Sequence, residues 1–240
     1  MAEAQKLTIL GHLQDLRKRL LRASIAVAAG TAISFVFAEK IINVLKSVSG
    51  DVELQAIEMT ETIVTYFKLS FTCGLAIATP VILYEIVMFI RPALNPKEKI
   101  YLYTLLPGVL IAFGGGVVFA YYVLLPPAIS FLSGFGSNVA TIEWRVGDYV
   151  SKIVRLLFGV GFCFELPVVM YFLSKIGIVT VQKLSRFRRW AIVLAFLAAA
   201  IITPTPDPVN QSIVAVPLII LYEFGIILAR IATRGRKETV

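Results

Sequence analysis

The chain is poor in the residues that polar chemistry draws on. Its 240 residues include one histidine, His12, and two cysteines, Cys73 and Cys163, and only 16% of them are charged. Soluble domains carry about 25% charged residues. There is no HExxH pair, no CxxC pair and no GxxxxGK[ST] loop. A zinc site, a redox dithiol and a nucleotide phosphate cradle are therefore without support, and no cofactor, metal or nucleic-acid partner is expected. Both cysteines fall inside apolar runs, where a thiol packs as a small hydrophobe rather than as half of a disulfide.

What fills the chain is apolar: 58% of residues are hydrophobic and the mean hydropathy is +0.84. Spans of about 20 residues consume most of such a chain and leave no room for a separate soluble domain. We therefore expect an all-α polytopic membrane protein, residues 1–240 forming one membrane domain. Six transmembrane segments can be read, at about 21–38, 63–90, 101–125, 149–173, 190–203 and 210–229. The second would rise roughly 42 Å against a hydrocarbon thickness of about 30 Å, so it should tilt, or kink at Pro80. The fifth has only thirteen apolar residues, Trp190 to Ile202, and the sixth is interrupted by Glu223. Short helices five and six should then line a concave face beside a locally thinned bilayer.

Orientation follows from the basic residues. Seventeen of the 23 lysines and arginines fall at 6–22, 91–99, 175–189 and 230–237, which places both termini in the cytoplasm. The other six are Lys40, Lys46, Lys68, Arg145, Lys152 and Arg155. The first apolar run reads as an uncleaved helix, since five more spans follow it. Loops at 39–62 and 126–148 lie outside, and the prolines of TPTPDP (203–208) end span five and start span six. There is no internal repeat of the kind that broken-helix transporters show.

Several polar residues carry both a structural and a functional reading. Glu98 falls third in a helix that Asn95 would cap and Pro96 would open, as in a capping box, and it can also face a cationic partner. Asp15 lies in an interfacial helix with Leu13, Leu16 and Leu20 on one face, where Lys18 or Arg19 can pair with it. The glycines at 114–116 indicate close helix packing. Glu85 and Glu223, near the cytoplasmic ends of their spans, read as boundary or packing residues. Glu165 is different. It is the only charge in the nineteen residues between Arg155 and Lys175. A charge at a helix centre costs at least about 2.5 kcal/mol, and its own helix offers only Gly161, Phe162, Val168 and Val169 as neighbours. It must find its partner on another helix, on a water or on another protein.

The segments HLQDLRKRLL, FIRPALNPKEK, FCFELPVV, TPTPDPVNQ and LYEFG, taken together, resemble the TatC family, the multispanning receptor of the twin-arginine protein translocase. The resemblance runs through nearly the whole chain. One departure is Asp15, where the family more commonly has Glu. The resemblance implies a multi-pass protein of the bacterial or archaeal cytoplasmic (inner) membrane with no enzymatic activity. It also implies binding of the twin-arginine signal peptides of folded cargo proteins at the cytoplasmic face, involving Glu98, Asp15, Arg17, Phe89, Pro92 and Leu94. Recruitment of single-span TatA-like and TatB-like subunits, self-association and export driven by the proton-motive force are implied as well. Glu165 would dock the partner helices, together with Gln211, Thr203 and Thr205. The chemistry agrees: adjacent guanidiniums pair bidentately with carboxylates, and on a basic face Glu98 and Asp15 are among few acids available. A thinned bilayer would bring Gln211 toward the depth of Glu165, so a polar cluster of the two facing the concave side is expected. The competing class is a small-solute or ion transporter with Glu165 as its midplane site. An intramembrane hydrolase would need a second acid, a serine/histidine set or a metal motif.

Overall fold

The computed structural model describes residues 9–48, 54–90, 96–134, 144–203 and 207–234, with the side chains at 9, 10, 12, 87, 90 and 96–106 excepted. In chain order the elements are α1 (Ile9–Val36), α2 (Ala38–Lys46), β1 (Leu54–Gln55), α3 (Glu61–Ile90), α4 (Pro96–Phe119), a π-helical turn (Ala120–Leu124) and α5 (Leu125–Gly134). They continue with β2 (Trp144–Arg145), α6 (Val146–Cys163), α7 (Leu166–Ile176), α8 (Val181–Ile202) and α9 (Pro208–Thr233). Five stretches are long and apolar enough to cross a membrane: Leu13–Val36, Glu61–Ile86, Pro107–Gly134, Val146–Ile176 and Pro208–Thr233.

Several expected boundaries move. α1 runs unbroken from Ile9, so Leu13, Leu16 and Leu20 belong to the first turns of one 28-residue helix rather than to a separate interfacial one. α8 begins at Val181, nine residues before its apolar run, because glutamine, lysine and arginine propagate a helix as readily as leucine does. Thr180 caps it, accepting a hydrogen bond from the Lys183 N–H. At 22 residues α8 is about 33 Å long, and α9, with 26, is about 39 Å. The helices expected to be short are therefore not short; only the apolar part of α8 is. The all-α expectation is also amended by β1 and β2, which pair in parallel, Leu54 with Trp144 and Gln55 with Arg145.

Proline and glycine account for the remaining irregularities. Pro126 and Pro127 have no N–H to offer the carbonyls of Tyr122 and Val123, and just before them the ladder widens, Leu125 N–H donating to the Ala120 carbonyl. Pro167 likewise breaks the expected fourth span: it cannot pair with the carbonyl of Cys163, where α6 stops, and α7 starts at Leu166. α7 ends at Gly177, whose φ of 85° suits a residue without Cβ, and Ile178 N–H closes back on the Leu173 carbonyl at 3.0 Å. By contrast, α3 continues through Pro80 for 30 residues.

Close approach of α1 and α3 rests on Gly30 and Gly74: a Cβ on Gly74 would sit 2.5 Å from the Thr31 nitrogen. At the same end as the β pair, α2 turns Ala38 and Leu45 inward. Its last carbonyls, which have no helical donors, accept from tyrosines of other elements, Val44 O from Tyr121 at 3.0 Å and Leu45 O from Tyr149 at 2.9 Å. The buried core runs through Leu69, Tyr149, Leu156, Val160, Ala199 and Val214, joining α3, α6, α8 and α9.

Candidate functional site

One end of the bundle gathers the start of α1, the end of α3 and the start of α4. A helix puts residues 15, 19 and 22 on one stripe, and α3 brings Glu85 against it. Arg19 Nε donates to Asp15 Oδ2 at 2.8 Å, and Arg19 Nη1 donates to Glu85 Oε2 at 3.2 Å. Arg22 Nη1 lies 3.5 Å from Glu85 Oε1. Asp15 thus takes Arg19, not Lys18, as its partner. Glu85 is buried, 6% exposed, and ties two helices together; sequence reading missed this because its partners stand 66 and 63 positions away. Arg17 is exposed on α1, and Phe89 is half-buried one turn beyond Glu85. Pro96 opens α4 as the sequence predicts, which places Glu98 third in that helix. Helix N-termini favour a carboxylate. Pro92, Leu94 and Asn95 lie outside the described residues, as does the side chain of Glu98.

The second site is the break between α6 and α7. Glu165 occupies the turn that Pro167 enforces, its N–H donating to Phe162 O and its carbonyl accepting from Val169 N–H. The residue is only 5% exposed, and among the described residues its buried Oε1 has no hydrogen-bond partner. α4 packs tightly here, since a Cβ on Gly116 would lie 2.8 Å from both Gly161 and Phe164. Of the three consecutive glycines only Gly116 serves packing; a Cβ on Gly114 or Gly115 would meet nothing within 4 Å.

Two expectations about Glu165 are corrected. It is enclosed by packed protein rather than presented on an open face, because the proline turn tucks it between helices. Nor does it share a cluster with Gln211. Pro167 and Met170 meet α9 at Gly225, fourteen residues and about 21 Å from Gln211. The Gln211 amide instead donates to the Phe196 carbonyl of α8 at 2.9 Å. Thr203 is buried at the end of α8, its N–H bonded to Ala199 O at 2.8 Å, and Thr205 lies outside the described residues.

Glu223 is held by Arg188 in a two-point contact, Nε to Oε1 at 2.8 Å and Nη2 to Oε2 at 2.9 Å. With Tyr222 donating to the Leu184 carbonyl at 2.8 Å, it fastens the basic part of α8 to α9. At the other end Asp207 caps α9 through Asn210 N–H at 2.8 Å. No group of three or more potential metal ligands occurs among the described residues.

Long apolar helices, guanidinium–carboxylate contacts at the helix ends and an acid buried at a break within a span define a multi-pass membrane protein. Residues 11–217 match the family model described as Sec-independent protein translocase protein (TatC). The chain is 40% identical over 233 residues to the TatC of Aquifex aeolicus, covering 95% of this chain and 96% of that one. It is 31% identical over 236 residues to the chloroplastic TATC of Arabidopsis thaliana, covering 98% of this chain and 69% of that one. A solved structure described as the twin arginine translocase receptor TatC superimposes with a TM-score of 0.83 at 40% identity, over 93% of this chain and 100% of that one. The chain belongs to the TatC family. It is a multi-pass inner-membrane component of the Sec-independent protein translocase, and its family is not enzymatic.

Proposed function

We propose that this chain is the receptor that binds twin-arginine signal peptides at the cytoplasmic face and recruits single-span TatA-like and TatB-like subunits to export folded proteins with the proton-motive force. In this reading all 240 residues form one membrane domain of six spans, α8 being the fifth and α9 the sixth, with both termini cytoplasmic. At about 33 Å, α8 is long enough to cross, and the basic residues of α1, α4, α8 and α9 cluster toward one end.

The observation that carries the proposal is internal to the protein: Arg19 seats its guanidinium between Asp15 and Glu85 at the end where α4 begins with Glu98. This end is already built to receive arginine. Asp15 Oδ2 is committed to Arg19, while Glu98 stands at a helix N-terminus; a second pair of arginines would be met by Glu98 first and by Asp15 alongside it. Arg17, Phe89, Pro92 and Leu94 are proposed to contact the peptide as well. The surrounding basic residues favour anionic lipid and repel unmatched cationic peptides.

Glu165 is proposed as the docking point for partner helices, and Thr203, Thr205 and Gln211 as a separate polar contact for them at the junction of α8 and α9. Among the described residues its buried Oε1 has no partner, which is costly, and a helix that displaces the packing over the break would bring a polar group to the Glu165 carboxyl. Affinity capture with Arg-Arg and Lys-Lys signal peptides tests the receptor role: selective retention by Arg-Arg supports it. Solute uptake by proteoliposomes without peptide selectivity would instead favour a transporter.

A further inference from the structure

Two cations stand inside the apolar spans with no acid facing them among the described residues. Lys68 is seven residues into α3 and Arg155 nine residues into α6. Both are exposed, and neither side chain makes a hydrogen bond or ion pair among the described residues. They line the same groove, about 490 Å³, between α3, α6 and the end of α8. Its walls are apolar, with Phe71, Leu75, Val154, Phe158 and Ile202 prominent, and they include no aspartate or glutamate.

Two contacts fix the height of these cations. Glu61 Oε1 accepts from Gly147 N–H at 3.0 Å, so the starts of α3 and α6 are level. From that shared level Lys68 is seven residues along α3 and Arg155 eight along α6, about 10 and 12 Å down two helices that run the same way. At the far wall Ile202 packs on Gly159, where a Cβ would come within 2.7 Å of it. α8 therefore ends level with Gly159, and Arg155 stands one turn, about 6 Å, beyond that end. Non-helical backbone does not face hydrocarbon, so the headgroup layer must reach the end of α8 on this flank. Lys68 and Arg155 are then at the depth of lipid phosphates, not of acyl chains.

We propose that this groove binds one anionic phospholipid of the outer leaflet, its phosphate between Lys68 and Arg155 and its acyl chains along Phe71, Leu75 and Phe158. Two cations without a neighbouring acid select a headgroup with net negative charge over a zwitterionic one. The apolar walls select a lipid over a free phosphate. The assignment to the outer leaflet rests on the orientation proposed above; the site itself does not depend on peptide binding, so the two can fail separately.

The test uses the full-length chain in detergent micelles doped with equal amounts of phosphatidylglycerol and phosphatidylcholine, with bound lipid counted by native mass spectrometry. Phosphatidylglycerol should be retained selectively, and K68Q and R155Q should each cut that selectivity by about fivefold. K68R with R155K should restore it, and K40Q, on a cation that does not line the groove, should leave it unchanged. Equal retention of the two lipids, selectivity unmoved by K68Q and R155Q, or displacement by millimolar inorganic phosphate would each overturn the proposal.

Discussion

Arg19 holds two carboxylates at once, Asp15 at 2.8 Å on its own helix and Glu85 at 3.2 Å on α3. Arg19 is 18% and Glu85 8% exposed at the side chain, so the contact works where water competes little. It fixes the face of α1 that carries Asp15 against the end of α3, one turn before Phe89.

Removing Arg19 leaves Glu85 with Arg22 alone, at 3.5 Å and largely exposed. Arg19→Gln should therefore lower stability by about 3 kcal/mol, the cost of an uncompensated buried charge. Arg19→Gln combined with Glu85→Gln should recover most of that loss. Thermal unfolding in detergent across the double-mutant cycle measures it, and strictly additive losses would contradict a coupled pair.

The packing of α1 on α3 makes a second prediction. Gly74→Ala places a methyl 2.5 Å from the Thr31 nitrogen, where only backbone could yield, and should cost about 1–3 kcal/mol. Gly115→Ala meets nothing within 4 Å and should be neutral or stabilising by up to about 1 kcal/mol. Melting temperatures that fall equally for both variants would show that helix contact is not the cause.

How much of this was legible depended on sequence distance. Hydropathy located the apolar runs, and Pro96 and Pro208 marked two helix starts. The start of α8 was hidden because Lys183, Arg186, Arg188 and Arg189 are charged yet continue a helix, and what holds them there is Glu223, 35 residues from Arg188. The break at Glu165 had a visible signal in Pro167, two residues on. The network around Glu85 had none, since neither its burial nor its arginines are local. The pairing of Glu165 with Gln211 failed because the Gln211 amide is taken by the Phe196 carbonyl of α8, a backbone partner that no side-chain pattern reveals.

Among the described residues Glu165 Oε1 has no partner, so docking of a partner helix is the step its substitution should affect. Glu165→Gln, which keeps a donor and an acceptor, should retain much of the export activity. Glu165→Ala should lose partner recruitment while signal-peptide binding persists. Photocrosslinking from position 165 distinguishes these outcomes. Crosslinks to lipid alone, or a glutamine variant as inactive as the alanine one, would contradict the docking role.

The central claim is recognition of paired arginines by the acids at the basic end, and Glu98 tests it most directly. Its loss from a helix start costs only about 1 kcal/mol of stability, little beside a whole bundle of packed spans, so the variant should fold. Asp15→Asn should weaken binding less, because Asp15 is already engaged by Arg19 at 2.8 Å. The decisive measurement is the affinity of purified wild-type and Glu98→Ala protein for an Arg-Arg signal peptide, with the Lys-Lys peptide as reference. The account predicts that wild type prefers Arg-Arg and that Glu98→Ala loses about tenfold or more of that affinity, as for a charge-assisted hydrogen bond. Unchanged Arg-Arg affinity in a folded Glu98→Ala variant, or equal binding of the two peptides by wild type, would contradict it.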